Sequence, residues 1–417
     1  MSQAVAAFAQ QFPLIYQLFT TRLKWSLGFI AALFLILAVS LYAQLLHTAD
    51  GLFTSAGPII GGDFIVFDHA ARVAGTPDML SIYEMKNLQA QLQAAHPGQG
   101  DFAFAWMYPP TMSLVLAPFA WPDYLTSFTL WVAIFASAFL LLIRRLWANR
   151  WALFFVASCP AVFFAVVTGQ NGLLTATLIA AAGAFADKRP ILAGVAAALL
   201  TVKPQLGLLI PIAFIAGGCW RAFAAAAVGS LAFSALSIAA FGVDAWTAFF
   251  NALTTHGGRM AETGFPFSKL ATPFGFATMI GLPAAAASAV QIAASLALAA
   301  YVAIVWRRVK EWDLRVAALS TAAILATPYA FYYEIVIMAP ALMLIARRGV
   351  ETGWLRYEKL TLIAAWVVPL MMPGDDAIPG PPVCSVGAIF AFLIVARRAW
   401  PAATLMSASA MRPAAAG

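Results

Sequence analysis

Residues 25–46 read WSLGFIAALFLILAVSLYAQLL, an unbroken apolar run flanked on its N-terminal side by Arg22 and Lys24. A helix of about 22 residues rises roughly 33 Å, enough to cross the hydrocarbon core of a bilayer. The run is too long for the apolar core of a cleaved leader, so a retained span is expected. The chain repeats this character along its length: 63% of its 417 residues are hydrophobic, 10% are charged, and the mean hydropathy is +0.86. That composition predicts an all-α polytopic membrane protein forming one domain over 1–417.

The basic residues gather in short stretches: Arg22/Lys24, Arg144/Arg145/Arg150, Lys188/Arg189, Arg221, Arg307/Arg308/Lys310/Arg315, Arg347/Arg348/Arg356/Lys359 and Arg397/Arg398, with Arg412 in the tail. Apolar stretches of helix length separate them, alternating one span with two. This is the positive-inside pattern, and it places both termini in the cytoplasm. The net charge of +7 is thus a topology signal and not a nucleic-acid footprint. About twelve spans are expected, near 25–46, 124–143, 151–168, 172–186, 190–203, 204–218, 221–242, 283–306, 315–329, 331–346, 358–373 and 382–397. Residues 109–120, opening at Pro109-Pro110, are too short to cross and read as a re-entrant or interfacial helix.

On this topology the outer face receives a polar loop at 47–107, a second loop at 243–282, and short turns at Gly169-Gln170-Asn171, Lys203-Pro204, Tyr329–Glu334 and 373–382. The first loop holds Asp50, Asp63, Asp68, Arg72, Asp78, Glu84, Lys86 and Asp101. Asp63 follows Gly61-Gly62 and precedes a helical run, Phe64–Ala74, closed by Gly75. Local pattern alone favours a helix N-cap for Asp63, while a carboxylate in a loop at the bilayer surface is also a candidate general base. Asp68 and Arg72, spaced i and i+4, are explained by a local ion pair.

Lys203 ends an apolar stretch at the outer boundary, where a basic residue is unusual. Snorkelling to the interface is the plain reading. With Arg259 and Lys269 it is also one of few outer cations that a phosphate would need. The segment Trp106-Met107-Tyr108-Pro109-Pro110 is either an interfacial anchor or a substrate wall. Glu334, at the start of a span, is either an interfacial carboxylate bonded to Tyr332 or Tyr333, or a functional group. Cys159, Cys219 and Cys384 suit apolar packing. His47, His69, His96 and His256 lack ligand spacing, so no metal or other cofactor is expected.

These blocks together resemble glycosyltransferase family 87, polyprenyl-phosphate-sugar-dependent enzymes of the GT-C superfamily that include mannosyltransferases. The resemblance rests on Asp63-Phe64, Phe67, Ala70-Ala71-Arg72, Gly75 and Ser81-Ile82-Tyr83-Glu84 in the first loop. Tyr108-Pro109-Pro110 with Pro118, and Gly169-Gln170-Asn171, form a second block. Gly194, Lys203-Pro204-Gln205-Leu206-Gly207 and Trp220-Arg221 form a third, and Thr327-Pro328-Tyr329 running to Tyr333-Glu334 a fourth. Phe67 stands where an aromatic hydroxyl is common in the family, and Glu334 where Asp or His is found.

The resemblance implies a GT-C-like bundle and inverting transfer of a hexose, mannose foremost, from a polyprenyl-phosphate donor to a lipid or glycan acceptor at the outer face of a bacterial-type plasma membrane. Asp63 would be the general base, with Asp68 a poorer candidate for sharing that role. Lys203, helped by Arg259 or Lys269, would stabilise the leaving phosphate, and no metal is required. Tyr333 and Glu334 would line the sugar pocket, with Tyr108, Gln170, Asn171 and Gln205 as further substrate contacts. A transporter or flippase of lipid-linked sugars is a rival class, but such proteins usually show repeat symmetry and charges near the midplane. An oligosaccharide polymerase or ligase is a second rival; its large outer loop usually falls late in the chain, whereas this one comes first.

Overall fold

The first apolar run folds as a single helix, Leu23–His47, in the computed structural model. The structure describes residues 10–13, 17, 22–54, 59–97, 104–259, 267–371 and 383–410, with side chains described throughout except at 256–259 and 402–410. Asp101, the 373–382 turn and Arg412 lie outside the described residues. Apart from isolated bridges, the described residues form helices and turns and no strand.

Five helices among the described residues are long and apolar enough to cross a membrane: Leu23–His47, Tyr124–Leu146, Trp220–Phe241, Ala284–Arg308 and Val383–Pro401. A sixth arises if Arg150–Ala157 and Pro160–Val167 count as one span bent by 51°. The bend has a covalent cause, because Pro160 has no amide hydrogen to continue the ladder from Ala157. The other segments counted toward twelve spans fold as shorter helices, among them Gly172–Phe185, Pro190–Leu199, Leu209–Ala216 and Trp312–Leu325. Trp312–Leu325 is buried at every position after Trp312, with its charged Asp313 and Arg315 paired to Arg348 and Asp187 and the rest largely apolar, as expected of a helix packed inside a bundle. By contrast Leu23–His47 and Trp220–Phe241 expose Phe29, Ile36, Leu37, Val228 and Leu231, side chains suited to lipid.

The basic stretches meet one another. Arg347 donates to the Leu146 carbonyl and Arg348 to Asp313, Arg315 pairs with Asp187, and Arg397 donates to the Arg356 carbonyl. Arg398 pairs with the buried Glu358. These links join five separated stretches, four of them through charged side chains.

The first loop is a packed unit. Helix Phe64–Val73 leads through short 3-10 turns at Pro77–Met79 and Ser81–Tyr83 into helix Met85–Ala95. Phe64, Phe67, Trp106 and Trp131 are almost wholly buried together and form an aromatic core between the loop and Tyr124–Leu146. His69 Nε2 lies 2.7 Å from Gln91 Oε1, which ties the two loop helices. The segment after Pro109 forms helix Pro110–Leu116 and a 3-10 turn, Ala117–Phe119. Ten residues rise only about 15 Å, half of what a crossing needs. The expected loop at 243–282 is largely helical, with Val243–Arg259, Phe267–Lys269 and Pro273–Met279.

Candidate active site

Three glycines set the site. Gly61, Gly62 and Gly169 have φ of 79°, 51° and 61°, the left-handed region that costs glycine little. The Gly61-Gly62 turn lies directly on the Thr168-Gly169 turn. A Cβ on Gly62 would stand 3.0 Å from Thr168 Cα, and one on Gly169 would stand 2.5 Å from Phe64 Cβ. The contact is sealed by the Asp63 amide, which donates to the Thr168 carbonyl at 3.0 Å. Tyr124 holds the turn from the other side, its hydroxyl donating to the Ile60 carbonyl at 2.6 Å. Backbone contact at this distance puts the side chain of Asp63 beside that of Gln170.

Asp63 occupies the N-cap position of Phe64–Val73, yet its side chain makes no capping bond. Its φ and ψ of −68° and −9° are already helical, whereas a capping carboxylate needs an extended backbone to reach the first-turn amides. The carboxylate instead accepts from Gln170, Nε2 to Oδ2, at 2.5 Å. The helix-cap reading is therefore corrected for the side chain, though not for the position. Asp63 is half-buried. Burial raises its carboxyl above the ordinary aspartate value, opposed in turn by the Gln170 hydrogen bond and by the charges of Lys269 and Lys203.

Lys203 stands on the far side of Gln170. Its ammonium donates to the Tyr108 hydroxyl and to Asn171 Oδ1, each at 3.3 Å, and forms an ion pair with Glu334. It also sits 5.3 Å from the Tyr108 ring centre and 5.7 Å from that of Tyr333. The Tyr108 hydroxyl in turn donates to Gln170 Oε1 at 3.2 Å. The Lys203 side chain is 8% exposed and the Glu334 side chain 0%, so Lys203 does not snorkel. Burial is tolerable because the opposite charge lies in contact. Glu334 bonds neither neighbouring tyrosine in these contacts: its second oxygen accepts from the Phe331 amide at 2.6 Å. Gly172 allows this arrangement, since a Cβ there would meet the Tyr333 carbonyl at 2.8 Å.

Residues from five stretches thus converge on one polar cluster inside a greasy bundle, and stretches that contribute to it also carry a family signature. The model of glycosyltransferase family 87 matches residues 106–328, just over half of the chain. The chain belongs to glycosyltransferase family 87. No curated protein matches it, and no solved structure does. In this membrane glycosyltransferase the matched segment holds Tyr108, Gln170, Asn171 and Lys203. Asp63 precedes that segment and Glu334 follows it, and the fold brings both back to its polar centre.

The remaining candidates of the family 87 chain are placed less centrally. Tyr333 is buried, its ring stacked on Phe331 with centres 5.5 Å apart. Lys269 is half-buried at the end of Phe267–Lys269, near enough for its charge to act on Asp63. Gln205, half-buried in Pro204–Gly207, has no side-chain bond to the cluster among the described contacts. The side chain of Arg259 lies outside the described residues. Asp68 is engaged by Arg72 in a two-pronged pair with both distances at 2.8 Å, and Arg72 also reaches the Ala120 and Pro122 carbonyls. Phe67 meets Tyr108 edge-on at 5.2 Å and supports its ring.

Tyr124 and Gly172 were not legible as site residues, since one reads as an ordinary interfacial tyrosine and the other as a helix glycine. Among the described residues no group of three His, Cys, Asp or Glu side chains is placed to hold a metal ion.

Proposed function

We propose that this glycosyltransferase moves a hexose, mannose foremost, from a polyprenyl-phosphate donor to a hydroxyl of a lipid or glycan acceptor, with inversion and with Asp63 as general base. The observation that carries the reading is the state of the Asp63 carboxylate. Oδ2 is fixed by Gln170, while no described residue bonds Oδ1, which is left to accept the proton of an incoming hydroxyl. As that proton moves to Oδ1, the acceptor oxygen bonds to the anomeric carbon. The bond from that carbon to the phosphate oxygen breaks, and the polyprenyl phosphate leaves with the electron pair.

The cations support this reading with one redistribution of roles. An ammonium has three donors, and Lys203 directs them at Glu334, Tyr108 and Asn171. A direct Lys203–phosphate bond would require one of these to be given up. Lys203 then serves chiefly as a fixed positive field and organiser, while Lys269, and Arg259 on the same stretch, supply phosphate contacts. Asn171 is a better-placed substrate contact than Gln205. Its Oδ1 faces Lys203, which leaves the buried Nδ2 donor without a partner among the described residues. Buried donors are rarely left so, and a sugar hydroxyl or phosphate oxygen would satisfy it.

The proposed setting is a plasma membrane with both termini cytoplasmic, the cluster at the outer face and the shorter apolar helices completing about twelve crossings. Its support is the mutual contact of several of the basic stretches. The reading is tested by incubating purified Asp63→Asn protein with polyprenyl-phosphate mannose and measuring released polyprenyl phosphate. Loss of release with normal expression is expected, and full activity would overturn the base assignment.

A further inference from the structure

The hydrogen bonds around Gln170 have a direction. Lys203 can only donate, so the Tyr108 oxygen accepts from it. The Tyr108 hydroxyl proton is then free to go to Gln170 Oε1. With Oε1 occupied as acceptor, the Gln170 amide is oriented so that Nε2 faces Asp63 Oδ2. All three links therefore point the same way, from a cation to a carboxylate. Reversing the Gln170 amide would set two acceptors against each other at Asp63 and leave the Tyr108 hydroxyl facing an NH2 group. Bonds aligned in this way polarise one another.

We infer that Tyr108 and Gln170 are positioning residues of a polarised relay that carries the influence of Lys203 to Asp63, keeping the base ionised and its Oδ1 turned toward the acceptor. The inference rests on the reading of Asp63 as base. It assigns Tyr108 and Gln170 a duty different from touching substrate: they act through Asp63. Lys203 stays in place because Glu334 balances it, so the anchored end of the relay is itself a buried ion pair.

Other groups also face Asp63. The charge of Lys269 on Phe267–Lys269 acts on it, and its own charge is felt by Tyr124 on Tyr124–Leu146 and Tyr333 on Tyr332–Ile337, with Glu334 paired to Lys203. Only Gln170 bonds the carboxylate among the contacts the structure gives it. Removal of the relay should therefore be felt as tighter proton binding at Asp63, even with these groups unchanged.

The test reads protonation directly and needs no substrate. Dicyclohexylcarbodiimide modifies protonated, partly buried carboxyls, so labelling of Asp63 in the full-length protein is followed against pH by mass spectrometry. In Tyr108→Phe, which keeps the ring and removes the hydroxyl, the labelling midpoint should rise by about half a pH unit or more, and in Gln170→Met by about one. Tyr83→Phe is the control. Tyr83 is more fully buried than Tyr108 and its hydroxyl bonds the Tyr108 carbonyl at 2.9 Å, yet it lies outside the relay. Its midpoint should not move.

An unmoved midpoint in either relay variant, or an equal shift in Tyr83→Phe, would overturn the relay. The acidic limb of kcat/KM with polyprenyl-phosphate mannose should move upward in parallel. Activity retained in Asp63→Asn would instead overturn the base reading. An inactive Asp63→Asn protein combined with an unmoved Tyr108→Phe midpoint would remove the relay alone.

Discussion

Asp63 and Gln170, 107 positions apart in the chain, share a single hydrogen bond from amide to carboxylate. The bond exists because two glycine turns touch backbone to backbone, with the Asp63 amide bonded to the Thr168 carbonyl. The position of the proposed base thus depends on close packing more than on the loop that carries it. The amide at Gln170 then links Asp63 to the buried Lys203–Glu334 pair, so the two charged parts of the cluster form one unit.

Burial raises the Asp63 carboxyl, and this fixes the sign of two pH effects. A base must be ionised, so transfer should fall as pH falls through the raised folded value, giving an acidic limb in kcat/KM above the ordinary aspartate range. The same shift means that the folded protein binds this proton more tightly than the unfolded chain. Stability from Asp63 is therefore greatest below the unfolded value and is lost as pH rises through the folded one. Asp63→Asn should melt higher than the parent protein at neutral pH and show no such advantage in acid. Thermal unfolding in detergent at both pH values checks it.

Gly169→Ala should damage both stability and transfer. The new Cβ would lie 2.5 Å from Phe64 Cβ and 2.6 Å from the Gly61 carbonyl oxygen, in a left-handed backbone that alanine resists. The turns must separate, at a cost of about 1–3 kcal/mol, and Gln170 moves away from Asp63. A lower melting temperature together with a tenfold or greater fall in kcat is expected. Gly75→Ala is the comparison, since its φ of 78° is equally unfavourable but a Cβ there meets nothing within 4 Å. It should cost stability and spare kcat.

The sequence made the membrane class, the helical first loop and most members of the cluster legible. Spans such as Leu23–His47 announce themselves by length alone, and Phe64–Val73 is bounded by its flanking glycines. The span count was harder, because helices such as Trp312–Leu325 are shorter than an ideal crossing, and local composition does not report what surrounds a helix. The side-chain duties of Asp63, Lys203 and Glu334 were harder still. An N-cap aspartate, a snorkelling lysine and an interfacial glutamate are each the correct local expectation. Only the approach of Gly172 to Tyr333 and of Gly62 to Thr168 decides against them, and such contacts leave no local pattern.

Asp68 shares a helix with Asp63 but not its surroundings. Arg72 engages both of its carboxylate oxygens and is itself held by two carbonyls just before helix Tyr124–Leu146, those of Ala120 and Pro122. Asp68→Asn should therefore lower the melting temperature, by a loss of about 1–3 kcal/mol, while the acidic limb of the rate profile stays where it is. A limb that moved with Asp68 would mean that the two carboxylates titrate together.

The Lys203–Glu334 pair gives the sharpest energetic test. Both side chains are buried, so removing one partner leaves an uncompensated charge. Glu334→Gln and Lys203→Met should each destabilise the protein by about 3–5 kcal/mol. The double variant should cost much less than the sum, because no orphan charge remains, and a double-mutant cycle on melting temperature or denaturant midpoint measures that coupling. Activity should behave differently from stability. The double variant recovers the fold but not the field of Lys203, so transfer stays low while the protein melts near the parent temperature. Additive losses of stability would mean that the two groups do not depend on each other for burial. Recovered transfer would mean that the cation serves the fold alone.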